Sequence, residues 1–138
     1  MLGAMDLVAG VHHLAIVVAD LERSERFYAG VLGLPVTRRW DDAAGAPRAV
    51  WLELGAGAFL ALERATAGQP MRADGAPGWH CVALRIERAA RETWRTRLAA
   101  AGHPVERETA FTLYARDPDG QLCGLSHWPD EVEPPPAG

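Results

Sequence analysis

The sequence predicts an α+β domain assembled from two copies of one strand–helix–strand unit, closed around a small-molecule cleft. Two observations predict it. The segment Val11-His12-His13-Leu14-Ala15-Ile16-Val17-Val18 lies over Trp79-His80-Cys81-Val82-Ala83-Leu84-Arg85-Ile86, with apolar positions and alanines coinciding and His12 on His80, at an offset of 68 residues. Farther along, Gly33-Leu34-Pro35-Val36 matches Gly102-His103-Pro104-Val105 at an offset of 69, which calls for one inserted residue in the intervening helix. A length of 138 residues, 49% of them apolar and 23% charged, is the size and composition of one ordinary globular domain.

Each copy opens on a strand rich in Val, Ile and Leu. In the first copy Asp20 offers an N-cap, and Leu21, Phe27, Tyr28, Val31 and Leu32 mark a helical face that stops at Gly33. Strands follow over Ala49–Leu54 and Ala58–Arg64, joined by the Gly55-Ala56-Gly57 turn. In the second copy Ala90, Trp94, Leu98 and Ala101 mark the helix before Gly102. Strands over Thr112–Ala115 and Gln121–Ser126 flank Asp117-Pro118-Asp119-Gly120, whose Pro and Gly placement suits a type I turn. These elements divide the chain into a leader over residues 1–10, one domain over 11–128 and a Pro-rich tail over 129–138. Within the domain, units at 11–64 and 79–128 are joined by an Ala/Gly/Pro-rich linker at 65–78.

The balance of charge and cysteine narrows the partners. A net charge of −4 gives no basic face for nucleic acid. All 14 basic residues are arginine. Cys81 and Cys123 sit in apolar surroundings, without a CxxC pair, and read as reduced thiols of a cytoplasmic protein. No apolar run is long enough to cross a bilayer as a helix.

Strand alternation sorts side chains onto two faces. Leu14, Ile16, Val18, Val50, Leu52, Leu54, Leu113 and Ala115 form the side that packs under helices. The other side carries His13, Ala15, Val17, Trp51, Glu63, Cys81, Ala83, Arg85, Tyr114, Gly124 and Ser126, and is the predicted cleft face.

The segment from His13 through Asp20, Ser24, Phe27 and Tyr28, followed by Val31-Leu32-Gly33-Leu34, resembles the vicinal oxygen chelate superfamily, as does the Asp117-Pro118-Asp119-Gly120 turn. That group holds glyoxalase I, extradiol dioxygenases, fosfomycin-resistance enzymes and bleomycin-binding proteins, and the likeness covers residues 11–128. It implies paired βαβββ modules forming a curled mixed sheet around a cleft, helices outside, commonly as a homodimer. It does not fix the reaction.

Members that do chemistry hold a divalent ion with His and Glu, one residue from each of four strands. The resemblance places those positions at His13, Ala61, Cys81 and Gly124. The internal repeat also pairs 61 with 124, since Phe59-Leu60-Ala61-Leu62 lies over Leu122-Cys123-Gly124-Leu125. Ala and Gly have no side-chain donor, and a thiol suits softer ions than imidazole–carboxylate sites do. The leading expectation is therefore a binding protein that needs no metal and sequesters an apolar or aromatic compound, with no cofactor. Its ligand would meet His13, Trp51, Ala61, Glu63, Cys81, Arg85, Tyr114, Gly124 and Ser126. One alternative is a metal-dependent lyase or extradiol-type dioxygenase using His13, Glu63 and His80. Another is a metal-free enzyme with His13 as general base and Arg85 stabilising an oxyanion.

Overall fold

A computed structural model of the chain describes residues 8–68 and 73–130. The expected leader and tail therefore lie outside the described residues at 1–7 and 131–138, as does the middle of the linker at 69–72.

The elements run β1 (His13–Val18), α1 (Leu21–Glu25, continuing as a π-helix over Arg26–Val31), β2 (Val36–Asp41), β3 (Pro47–Gly55) and β4 (Ala58–Arg64). The second unit repeats the order: β5 (Cys81–Arg85), a 3-10 turn over Arg88–Ala90 leading into α2 (Arg91–Ala100), β6 (Arg107–Glu108), β7 (Thr112–Arg116) and β8 (Leu122–Ser126). Each unit makes a four-stranded mixed sheet, ordered β1-β4-β3-β2 and β5-β8-β7-β6. The pairs β1·β4 and β5·β8 are parallel and the others antiparallel. This is the α+β architecture of two βαβββ modules that the repeat and the resemblance predict.

Local chemistry explains the helix boundaries. Asp20 is extended and its side chain accepts a hydrogen bond from the Arg23 N–H, capping α1 as expected. An ordinary helix up to Gly33 was the expectation. Instead the second half widens, with the Leu32 N–H bonded to the Phe27 carbonyl five residues back. Phe27 and Tyr28, neighbours in sequence, are both buried there. Apolar periodicity marks a helix but does not distinguish a four-residue from a five-residue turn.

The helix-side faces of both sheets meet in one core. Leu52, Leu60 and Leu62 from the first sheet join Leu98 of α2 and Leu125 of β8 around Phe27 and Tyr28. Two polar links tie the units across it. Arg97 of α2 donates to the carbonyls of Gly30 and Val31, which end the π-helix without partners of their own. Asp119 accepts from the Ala19 N–H and pairs with Arg23, fastening the second turn to the start of α1.

The faces turned away from the helices are open along β1. There His13, Ala15 and Val17 are exposed while Leu14 and Ile16 are half-buried and Val18 buried. Both β1 and β5 are sheet edges. Among the described residues no helix is long and apolar enough to cross a membrane.

Candidate functional site

A concavity lies between the edges of the two sheets. It measures about 530 Å³ and is walled by His13–Val17 and Leu60 on one side and by Trp79, Cys81, Val82 and Gln121 on the other. Its surface is mainly apolar. The Gln121 amide is committed to the carbonyls of His80 and Leu122. Trp79 stands at the groove with its side chain exposed, and Val17 likewise.

One wall continues into a pile of aromatic rings. His13 stacks on Phe59 at 4.8 Å with an interplanar angle of 8°. Phe59 stacks on Trp51 at 4.3 Å and 26°, and Trp51 meets Trp40 edge-on at 5.2 Å. The register explains the pile. His13 pairs with Phe59, Trp51 pairs with Ala61, and Trp40 pairs with Ala49, so all four rings share the face opposite the helices. At the free end, one ring nitrogen of His13 is 2.8 Å from one of His12, so one imidazole donates to the other.

Among the expected site residues, the structure brings only His13 and Cys81 into this groove. Trp51, Ala61 and Glu63 lie along the face of the first sheet, and Arg85, Tyr114, Gly124 and Ser126 on the second. Arg85 donates to the Trp128 carbonyl, and Ser126 accepts from Thr112 at 2.8 Å. Glu63 pairs with Arg48 at 3.4 Å.

Ala61 and Gly124, both expected to meet the ligand, are covered by neighbouring side chains. Ala61 is 2% exposed, beneath a face that bears Trp51 and Phe59. A Cβ added at Gly124 would lie 3.2 Å from the Thr112 methyl, 3.3 Å from Ala83 Cβ and 3.4 Å from Tyr114 Cε1. Small residues let neighbouring side chains close in, because protein interiors do not sustain voids. Gly124→Glu is accordingly expected to lower stability by about 3 kcal/mol through overpacking and a buried carboxylate, measurable by urea unfolding.

The same geometry tests a metal. Positions 61 and 124 present no donor atom. The alternative set does not assemble either. In the parallel β1·β4 pair His13 lies beside Phe59 and Glu63 beside Val17. Four residues of strand separate them, about 13 Å at 3.3 Å per residue, too far to share one ion. Among the described residues no group of three or more His, Cys, Asp or Glu side chains is arranged to hold a metal. The donor set does not fit the divalent ion that the resemblance implies. Nor do His13 and Arg85 converge, since Arg85 does not line the groove.

Sequence reasoning missed a buried polar cluster behind the second sheet. Tyr28 is fully buried and donates from its hydroxyl to Asp117 Oδ2 at 2.7 Å, with Cys123 Sγ 3.5 Å away. Asp117 Oδ1 accepts from the backbone N–H groups of Asp119 and Gln121. Burial raises the Asp117 carboxyl above the ordinary Asp value and pushes the Cys123 thiol up to about 12, leaving that thiol protonated and inert. The Asp-Pro-Asp-Gly motif signalled the turn, but nothing in the sequence pointed from it to a tyrosine 89 residues earlier.

Comparison with known proteins accords with this fold. The sequence profile of the Glyoxalase/Bleomycin resistance protein/Dioxygenase superfamily matches residues 10–124. No curated protein matches the chain significantly. Solved structures do. A glyoxalase/dioxygenase from Nostoc punctiforme is 20% identical with a TM-score of 0.72, the match covering 94% of this chain and 97% of that one. A lactoylglutathione lyase from Agrobacterium tumefaciens is 25% identical with a TM-score of 0.64, covering 89% and 98%. A fosfomycin resistance protein, FosX, from Listeria monocytogenes, solved with Mn(II) and a dihydroxypropylphosphonic acid, is 18% identical with a TM-score of 0.69, covering 88% and 93%. With a profile match spanning most of its length and the paired βαβββ architecture behind it, this chain belongs to the Glyoxalase/Bleomycin resistance protein/Dioxygenase superfamily.

Proposed function

We propose that this protein binds and sequesters an apolar or aromatic small molecule in the groove between β1 and β5, without a metal. The observation that carries the reading is the lining: a volume of about 530 Å³, walled mainly by apolar side chains, in which His13 and Cys81 remain the only members of the superfamily's metal-ligand positions. That volume falls within the roughly 300–1,000 Å³ typical of small-molecule sites. The stacked His13 ring gives a flat wall suited to a planar ligand.

A homodimer is part of the same proposal. The β1 and β5 strands are sheet edges, and Val17 and Trp79 expose apolar surface at the groove, of the kind a second copy covers. Two free cysteines support a reducing, cytoplasmic setting.

Metal analysis of protein purified without chelator tests the proposal. Substoichiometric iron, zinc, nickel and manganese, together with retained ligand uptake, is the expected result. A stoichiometric ion that disappears along with activity in His13→Ala would overturn it in favour of a lyase or dioxygenase.

A further inference from the structure

The groove meets β1 along its edge. Consecutive residues from His13 to Val17 all line it, whereas a cavity facing one side of a sheet touches every second residue. In the parallel β1·β4 ladder the Phe59 N–H bonds to the His12 carbonyl and the Ala65 N–H to the Val18 carbonyl. Backbone groups in such a ladder point alternately to either side of the strand. Leu14, Ile16 and Val18 therefore turn theirs to β4, and His13, Ala15 and Val17 turn theirs away from it. Because β1 is an edge strand, that outward side is the groove. Among the described residues no hydrogen bond ends there on the N–H or C=O of Ala15 or Val17, and both residues are exposed.

The second unit does the same on a shorter scale. The Ile86 N–H bonds to the Ser126 carbonyl, so Cys81 and Ala83 of β5 turn their backbone groups outwards. Only Cys81 and Val82 of β5 line the groove, which leaves β1 with the longer row. Along that row the Ala15 carbonyl is followed directly by the Val17 N–H. A ligand with no polar edge would strip water from both groups and give neither a partner, which weakens binding.

We propose, resting on the groove reading above, that the ligand is a planar heteroaromatic lactam with its N–H and carbonyl side by side. The lactam N–H donates to the Ala15 carbonyl, and the lactam carbonyl accepts from the Val17 N–H. The ring thus extends the first sheet as an added strand would, with main-chain bonds fixing its orientation. Leu14, Ile16 and Val82 supply apolar contact for the rest of it.

Calorimetric titration of the full chain with 2-quinolone and with 1-methyl-2-quinolone tests it. The methyl derivative keeps the ring and the carbonyl but loses the donor, and should bind at least tenfold more weakly. Val17→Pro deletes an N–H that takes no part in the β1·β4 ladder, and Val17→Ala trims the side chain while keeping that N–H. The Pro variant should bind 2-quinolone about tenfold more weakly than the Ala variant does. Amide hydrogen exchange reads the same edge without mutation. In the free protein the Val17 amide should exchange fast and the Ile16 amide slowly, and 2-quinolone should slow Val17. The proposal is overturned if the two quinolones bind alike or if the Pro and Ala variants do. It is also overturned if the Val17 amide is already protected in the free protein, which would put a second copy on this edge. In each case the groove reading stands as long as 2-naphthol, whose single hydroxyl cannot make the paired bonds, still binds. A chain that takes up neither 2-quinolone nor 2-naphthol overturns both.

Discussion

Asp117→Ala should destabilise the protein by on the order of 4 kcal/mol, because one carboxylate satisfies three donors at once. The Tyr28 hydroxyl and the Asp119 and Gln121 N–H groups all end on it, and Asp117 is 4% exposed. Water cannot replace it at the tyrosine, which is completely buried. Tyr28→Phe removes one donor and leaves the two backbone bonds in place, so it should cost only about 1–2 kcal/mol. Urea unfolding of the two variants side by side checks the ordering.

Asp117 also gives the stability a distinctive pH dependence. Burial is the largest influence on it and raises its pKa above the ordinary value near 3.8, while the bonds from Tyr28 and the backbone pull the other way. A carboxyl whose folded pKa is raised binds its proton more tightly in the folded state. Its contribution is therefore most favourable below the unfolded value, declines as pH rises from there to the folded value, and is flat beyond. Glu25 and Glu108, lowered chiefly by hydrogen bonds from Arg39 and Arg95, act oppositely and lose their contribution as pH falls. Asp117→Asn isolates the effect. Through that acid window the wild type should gain stability relative to the Asn variant on acidification.

Ala15→Trp should weaken a neutral bicyclic ligand about 30-fold while leaving the fold intact. Ala15 is exposed on an edge strand and lines the groove, so a larger side chain meets solvent and the cavity rather than the core. An indole there takes surface that a ligand of similar size would use. Losing on the order of 80 Å² of apolar contact costs about 2 kcal/mol at 25 cal/mol per Å². Calorimetric affinity for 2-naphthol, beside an unfolding curve within about 0.5 kcal/mol of wild type, checks both halves.

The repeat of Val11–Val18 in Trp79–Ile86 exposed the two-module fold because each module buries its opening strand the same way. Alternation was readable in both β1 and β4, which placed Glu63 on the cleft face, but it could not show that Ala61 of β4 is as buried as Leu60 and Leu62. The chemistry at positions 61 and 124 was legible as missing donor atoms, since that depends on residue type alone. What fills those positions was not, since it depends on how Trp51, Phe59, Thr112 and Tyr114 settle against them. The groove itself joins edges 68 residues apart in the repeat, and no local pattern records how two modules dock.

The most direct measurement is a calorimetric titration of 2-naphthol into protein stripped with EDTA, repeated after addition of Mn(II), Fe(II), Zn(II) or Ni(II). A ligand gripped by packing alone should bind with the same dissociation constant in every case and emerge chemically unaltered. Binding or turnover that appears only when one of the ions is restored would contradict the account.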